Sequence, residues 1–405
     1  MSGPRWIPSL LLITAFQLIS FAQVIFVDEG INFFAAAILG IYLLIEWGWA
    51  ISSSIALRKS SPALEFIAFF LTGIGLCVVA SKSTSALLTQ FIAVILGFGL
   101  FICMLWMLAN IDRVEKFHLP MEVVAIGLLA IGLIFASNKN GAYNWVQIGG
   151  FSFQPSEIVK IAFIFVGAAT LEKIQTTKHI TRYALFAVVC IGLLFLMRDL
   201  GTALIFFFTF VVLGFMRSGD VRTILFVILA SAMAAVLVVL VKRNYVMNRF
   251  STYRHIWDSP YGNGMQQTRV LTYSVSGGCL GMGIGKGKLR NVFAAVEDLI
   301  FGVVAEEWGL LIAFIVALSY IFIFVHSVRN AVGSRSAFYS IASCAAGSLL
   351  LFQAALNIFG VTDLLPMTGV TLPFVSRGGS STISCWGLLA FIKAADNRTW
   401  AGKKS

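Results

Sequence analysis

The sequence predicts an all-α fold, a polytopic integral membrane bundle of about twelve transmembrane helices with both termini cytoplasmic. Three observations lead there. Of 405 residues, 59% are hydrophobic and 12% charged, at a mean hydropathy of +0.91, which is more apolar surface than a water-soluble domain can bury. The apolar residues cluster in runs near the ~20 residues that cross a hydrocarbon core. Basic residues then concentrate on alternate sides of those runs.

The runs lie near 7–27, 31–57, 62–80, 84–111, 120–137, 155–171, 182–197, 200–216, 222–241, 299–325, 338–361 and 378–395. The first is long and lacks a small-residue cleavage site, so it reads as a retained helix rather than a removed signal. With the N-terminus inside, the inner segments carry fifteen Lys and Arg, from Arg5 to Lys404. The short outer loops carry four: Lys82, Lys139, Arg198 and Arg377. The net charge of +11 is therefore topology, not a nucleic-acid footprint. Six scattered cysteines form no CxxC pair and the four histidines stand apart, so neither a disulfide framework nor a zinc site is expected. The whole chain, 1–405, reads as one membrane domain.

One loop breaks this economy. Residues 242–298 form a large extracytoplasmic segment with eight Lys and Arg against three acids. Long outer loops escape the charge rule, and a loop of this length in a compact protein is usually functional or disordered. Its aromatics favour an ordered loop against the membrane face. Within it, "SGGCLGMGIGKGK" fits neither a P-loop nor GxGxxG. It is either a flexible turn or a cradle whose N–H groups, with Lys286, Lys288 and Arg290, meet phosphate oxygens.

Further along the runs, Asp199 in "MRDLGTALIF" suits a helix cap in a solvated turn. Glu157 and Lys160 in "QPSEIVKIAF" share a helix face and can pair. In "LPFVSRGGSSTI", Arg377 and the Gly/Ser cluster precede the last span, either as an ordinary cap or as an anion site at a helix N-terminus. In "VEDLIFGVVAEEWG", Asp298 sits where the basic loop enters the tenth span. On one continuous helix, Glu306 would lie ~12 Å deeper and ~80° around. Intramembrane acids are functional candidates by default, yet Glu306 and Glu307 could equally be satisfied by neighbouring helices or by Lys160.

Taken together these stretches carry a family resemblance. "NGAYNWVQIGGFSFQPSEIVKIA", "DLGTA", "SPYGNGMQQTRVLTYSVSGGCLGMGIGKGK", "EDLIFGVVAEEWG" and "NIFGVTDLLPMTGVTLPFVSRGGSS" follow one another as in the SEDS family of RodA/FtsW/SpoVE-like peptidoglycan polymerases. The chain resembles a divergent member over about 120–395. Residues 1–119 supply five helices where members typically have three, a ten-helix core plus an N-terminal pair.

The resemblance implies a glycosyltransferase of the bacterial cytoplasmic membrane that polymerises lipid II on the extracytoplasmic face. The family's essential Asp falls on Asp298, its Gln on Gln267 and its Gly-rich loop on Gly278 and Lys286. Its "PSE…K" falls on Ser156, Glu157 and Lys160, and its "SYGGSS" on Ser376–Ser381, which includes Ser380. Departures stand at Tyr143, Asn144, Arg198, Ala294, Glu297, Asp363 and Arg377. Glu297 is a candidate stand-in for the Glu expected at position 294.

The implied reaction is attack of a GlcNAc 4-hydroxyl on a lipid-linked MurNAc, expelling undecaprenyl diphosphate. Diphosphate leaves readily, so one carboxylate base with cationic clamps suffices. Asp298 is the expected base, and Lys286, Lys288, Arg249 and Arg290 the expected diphosphate contacts. A divalent cation, Mg2+ or Mn2+, would suit that chemistry, although no residue pattern calls for one. A class B penicillin-binding protein is the expected partner. A flippase for lipid-linked sugars and a non-catalytic scaffold are the rival functions.

Overall fold

The computed structural model describes residues 6–27, 30–56, 60–139, 142–148, 151–172, 177–222, 225, 253–262 and 264–400. Five helices precede a three-stranded sheet: α1 Ile7–Ile25, α2 Phe33–Ala56, α3 Ala63–Lys82, α4 Thr84–Met107 and α5 Ile111–Phe135. Then come α6 Pro155–Glu172, α7 Thr177–Leu196 and α8 Leu200–Ser218. The remainder is α9 Met265–Ser276, α10 Ile300–Glu307, α11 Leu310–Val332, α12 Ala337–Val361 and α13 Gly379–Ala395. By length and composition, eight of these (α1–α5, α8, α11 and α12) can cross a membrane. The expected span at 222–241 lies outside the described residues apart from Arg222 and Leu225.

Helices dominate because a chain in hydrocarbon must satisfy its own backbone. Caps set the boundaries. Ser83 accepts the Ala86 N–H to start α4, and Asn110 accepts the Asp112 N–H to start α5. The Asn110 cap begins α5 nine residues before the expected start at 120, and the helix continues through Pro120. Short antiparallel strands were not anticipated. Phe26–Val27 (β1) pairs with Gly30–Ile31 (β2). Ser137–Lys139 (β3), Ala142–Ile148 (β4) and Phe151–Phe153 (β5) form a three-stranded sheet in that order.

Helices α3, α6, α12 and α13 form the centre, with most of their residues buried, while the other long helices turn apolar faces outward. Trp386 of α13 anchors that centre among the rings of Phe69, Phe98, Phe101 and Phe374, with centroids 5.0–5.8 Å away. Gly97 lets α4 approach this closely, since a Cβ there would stand 3.0 Å from the Trp386 ring and 3.1 Å from Ile383 Cα. Small residues at such contacts are how membrane helices pack without a hydrophobic driving force.

Polar bonds tie the bundle at both ends. At one, Arg335 donates to the Leu108 and Ala109 carbonyls, Tyr339 donates to Leu108, and buried Lys393 pairs with buried Glu65 at 2.8 Å. Nearby, burial pushes the Asp396 carboxyl up, but the hydrogen bonds and charge of Arg398, with Ser60, hold it below its ordinary value. At the other end stand the C-termini of α3 and α12, the N-termini of α6, α8 and α13, and Asp298.

Candidate active site

The tenth expected span is two helices. The chain leaves α10 after Glu307 and turns at Gly309, φ +86, before α11 begins. A Cβ at Gly309 would overlap Cys279 and Gly281, so the break is shaped by a close approach of the glycine run. The single helix expected to carry Asp298 and Glu306 is therefore corrected: α10 begins only at Ile300, after Asp298, and Glu306 and Glu307 close it after two turns.

Glu306 and Glu307 face that glycine run. Lys288 and Leu289 donate their N–H groups to the Glu306 carboxylate at 2.8 and 2.9 Å. Met282 and Gly283 donate to the main-chain carbonyls of Glu306 and Glu307, and Ile284 to Gln23 of α1. The cradle reading of the run is corrected as well, because these N–H groups are consumed inside the protein. Lys286 and Lys288 remain exposed, while Arg290 donates to the Ser81 carbonyl at 3.1 Å. Lys160 does not serve the two acids.

Asp298 sits differently. Leu289, Val292, Ala295, Val296, Leu299 and Ile300 around it are buried, whereas Asp298 is half-buried. Ala294, at φ +57, accepts the N–H groups of Glu297, Asp298 and Leu299 in one tight turn that carries the aspartate. Asn357 of α12 donates its side-chain amide to the Asp298 carbonyl at 2.9 Å and to the Val370 carbonyl at 2.7 Å. Two carbonyl acceptors fix the orientation of that amide. Asp298, Leu356, Asn357, Gly360, Val361 and residues 367–370 line a narrow cleft. The cleft wall at Gly369 comes close to the carboxylate, since a Cβ there would lie 3.7 Å from Asp298 Oδ2.

Segment 366–378 joins this cleft to the rest. Ser376 donates its hydroxyl to the Glu297 carbonyl at 2.5 Å, and Arg377 its N–H to Val296 at 2.8 Å. The Arg377 guanidinium reaches Glu297 at 3.5 Å. On the other side, Gln353 donates to the carbonyl and hydroxyl of Thr371, and Thr371 shares a 2.7 Å bond with Ser381. Lys160 donates to Gln353 at 2.9 Å and to Glu157 at 2.7 Å, all three buried. The ion-pair reading of Glu157 and Lys160 thus describes the geometry.

The remaining expected residues act in walls and caps. Buried Gln267 donates to the carbonyl of Gly360, a cleft residue. Asp199 accepts from Thr202 N at the start of α8, from Asn144 at 2.8 Å and from Gln154 at 3.0 Å. Ser380 accepts the Gln154 N–H, and Gly378 donates its N–H to Gln90. Neither bond engages the first-turn N–H groups of α13, which carry no side-chain cap. Arg249 lies outside the described residues.

Sequence reasoning missed Asn357, Gln353 and Gln90. All three are polar residues inside apolar runs, which is itself a signal in a membrane chain. Among the described residues no group of three or more His, Cys, Asp and Glu could hold a metal ion. Among the described residues Asp298 is the one carboxylate lining the cleft, so a hard cation held there by these residues would need substrate oxygens as well.

The bundle and its end-on carboxylate cleft define a polytopic membrane protein with one candidate reaction centre. The family profile of FtsW, RodA and SpoVE, described as "Cell cycle protein", matches residues 63–399, and the chain belongs to this family. It is 31% identical over 282 residues, 66% of this chain and 70% of the relative, to "Probable peptidoglycan glycosyltransferase FtsW" of Buchnera aphidicola subsp. Acyrthosiphon pisum (strain APS). It is 26% identical over 420 residues, 95% of this chain and 88% of the relative, to "Peptidoglycan glycosyltransferase RodA" of Mycobacterium tuberculosis (strain ATCC 25618 / H37Rv). Its fold resembles a chain of a peptidoglycan synthase complex, with TM-score 0.71 and 24% identity, covering 84% of this chain and 98% of that one. It also resembles Thermus thermophilus RodA, with TM-score 0.63 and 24% identity, covering 85% and 98%.

Proposed function

We propose that the chain is a peptidoglycan glycosyltransferase that polymerises lipid II at the outer face of the bacterial cytoplasmic membrane. The observation that carries the mechanism is selective. Glu306, Glu157, Asp199 and Glu297 are each engaged by loop N–H groups, Lys160, a cap with two amides, and Arg377 respectively. Among the described candidate acids, Asp298 is the one that lines the cleft.

Asp298 would take the proton from the 4-hydroxyl of the acceptor GlcNAc as that oxygen bonds to the anomeric carbon of the lipid-linked MurNAc. The bond from that carbon to the diphosphate oxygen breaks, and undecaprenyl diphosphate leaves with the electron pair. A diphosphate needs charge stabilisation and no protonating acid. Arg377, whose N–H binds Val296 and whose guanidinium reaches Glu297, is a cation tied to the turn that carries Asp298. Lys286 and Lys288, fastened at the far end of α10 from Asp298, are better placed for the distal part of a long substrate. The twelve-span topology with both termini cytoplasmic rests on the distribution of basic residues. A class B penicillin-binding protein as partner is in keeping with the likeness to a chain of a synthase complex.

Labelled lipid II supplied to the purified protein, with and without such a partner, tests the proposal. Glycan strands made by the wild type and lost in Asp298→Asn support it. Lipid movement across the bilayer without polymerisation would replace it by a transporter, and neither activity by a scaffold.

A further inference from the structure

Glu297 and Arg377 meet beside the candidate base, on two segments joined at the main chain. Arg377 N–H binds the Val296 carbonyl at 2.8 Å and the Ser376 hydroxyl binds the Glu297 carbonyl. The roots of both side chains are thereby fixed. Their tips are not: the carboxylate and guanidinium stand 3.5 Å apart, with side chains 38% and 41% exposed.

We propose that Glu297 is a built-in competitor for the diphosphate group. It holds Arg377 while the site is empty and yields the guanidinium when a polyprenyl diphosphate enters. The inference rests on the glycosyltransferase reading and adds to it a device that sets affinity and release. A half-exposed pair of this length is weak, so exchange costs little. A guanidinium fork matches a phosphate in two parallel hydrogen bonds, and a diphosphate brings more negative charge than one carboxylate. The exchange needs only rotamer changes in two side chains, because the main-chain bonds stay. After transfer, the same carboxylate competes with the departing diphosphate and favours its release.

The test uses the full chain in nanodiscs and farnesyl diphosphate as the probe, with farnesol as the control lacking phosphate. Glu297→Gln removes the competitor and should tighten farnesyl diphosphate binding about five-fold, the ratio set by a pair worth ~1 kcal/mol. Arg377→Gln should weaken binding, and the double variant should bind like Arg377→Gln alone. Farnesol binding should be the same in all four proteins. Unchanged or weaker diphosphate binding by Glu297→Gln overturns the inference while leaving the Asp298 reading in place. So does tightening that persists without Arg377. Failure of all four proteins to bind farnesyl diphosphate overturns the reading of the site and the inference with it.

Discussion

Asn357 holds the main-chain carbonyl of Asp298 at 2.9 Å while holding Val370 at 2.7 Å with the same amide nitrogen. One side chain on α12 thus sets the separation between the candidate base and the cleft wall. Replacing it with Leu leaves two buried carbonyls short of a donor, at ~1–3 kcal/mol each. Asn357→Leu should lower polymerisation at least ten-fold while the protein still purifies as a folded species. Assays of glycan synthesis alongside thermal unfolding separate the two effects.

Glu306 is predicted to act through the loop it ties. Glu306→Ala removes the acceptor for Lys288 and Leu289 N–H and should expose 283–289 to protease. Glu306→Gln keeps one carbonyl oxygen and should be cut at an intermediate rate. Limited proteolysis followed by mass mapping reads this directly, and equal cutting of both variants would contradict it.

Lys160 and Glu157 form a buried pair whose members depend on each other. Lys160→Met alone strands a buried carboxylate and should cost about 3–5 kcal/mol. The double variant Lys160→Met/Glu157→Leu should recover most of that loss. Unfolding midpoints of the single and double variants form the cycle, and additive losses would show that the two side chains are not coupled.

Two glycines of one loop should respond differently to a methyl group. Gly278 has φ +57 with nothing within 4 Å of an added Cβ, so Gly278→Ala should cost only the ~1–2 kcal/mol of left-handed backbone. Gly281 has φ +84, and its Cβ would stand 2.2 Å from the Glu307 carbonyl oxygen. Gly281→Ala should therefore destabilise more than Gly278→Ala, as thermal unfolding would record.

Much of this was legible in the sequence, and the failures share a cause. Apolar runs marked the eight described helices long and apolar enough to cross a membrane, because hydropathy is a local property. Asp298 stood out because an acid between a basic loop and an apolar run is rare. The break at Gly309 was not visible in the expected span 299–325, since it depends on contact with Cys279 and Gly281. The glycine run looked like a phosphate cradle because the partner of its N–H groups, Glu306, lies 17–18 residues further along the chain. Glu297 is a candidate stand-in for a missing acid by its place in the sequence, whereas its proximity to Arg377, 80 residues away, is visible only in the fold.

The account turns on Asp298 as the base. The direct measurement is the length and yield of glycan strands made from labelled lipid II by wild type and Asp298→Asn in the same membrane preparation. The predicted result is strands from the wild type and none from a variant with unchanged unfolding temperature. Strands from Asp298→Asn at the wild-type rate would contradict the assignment.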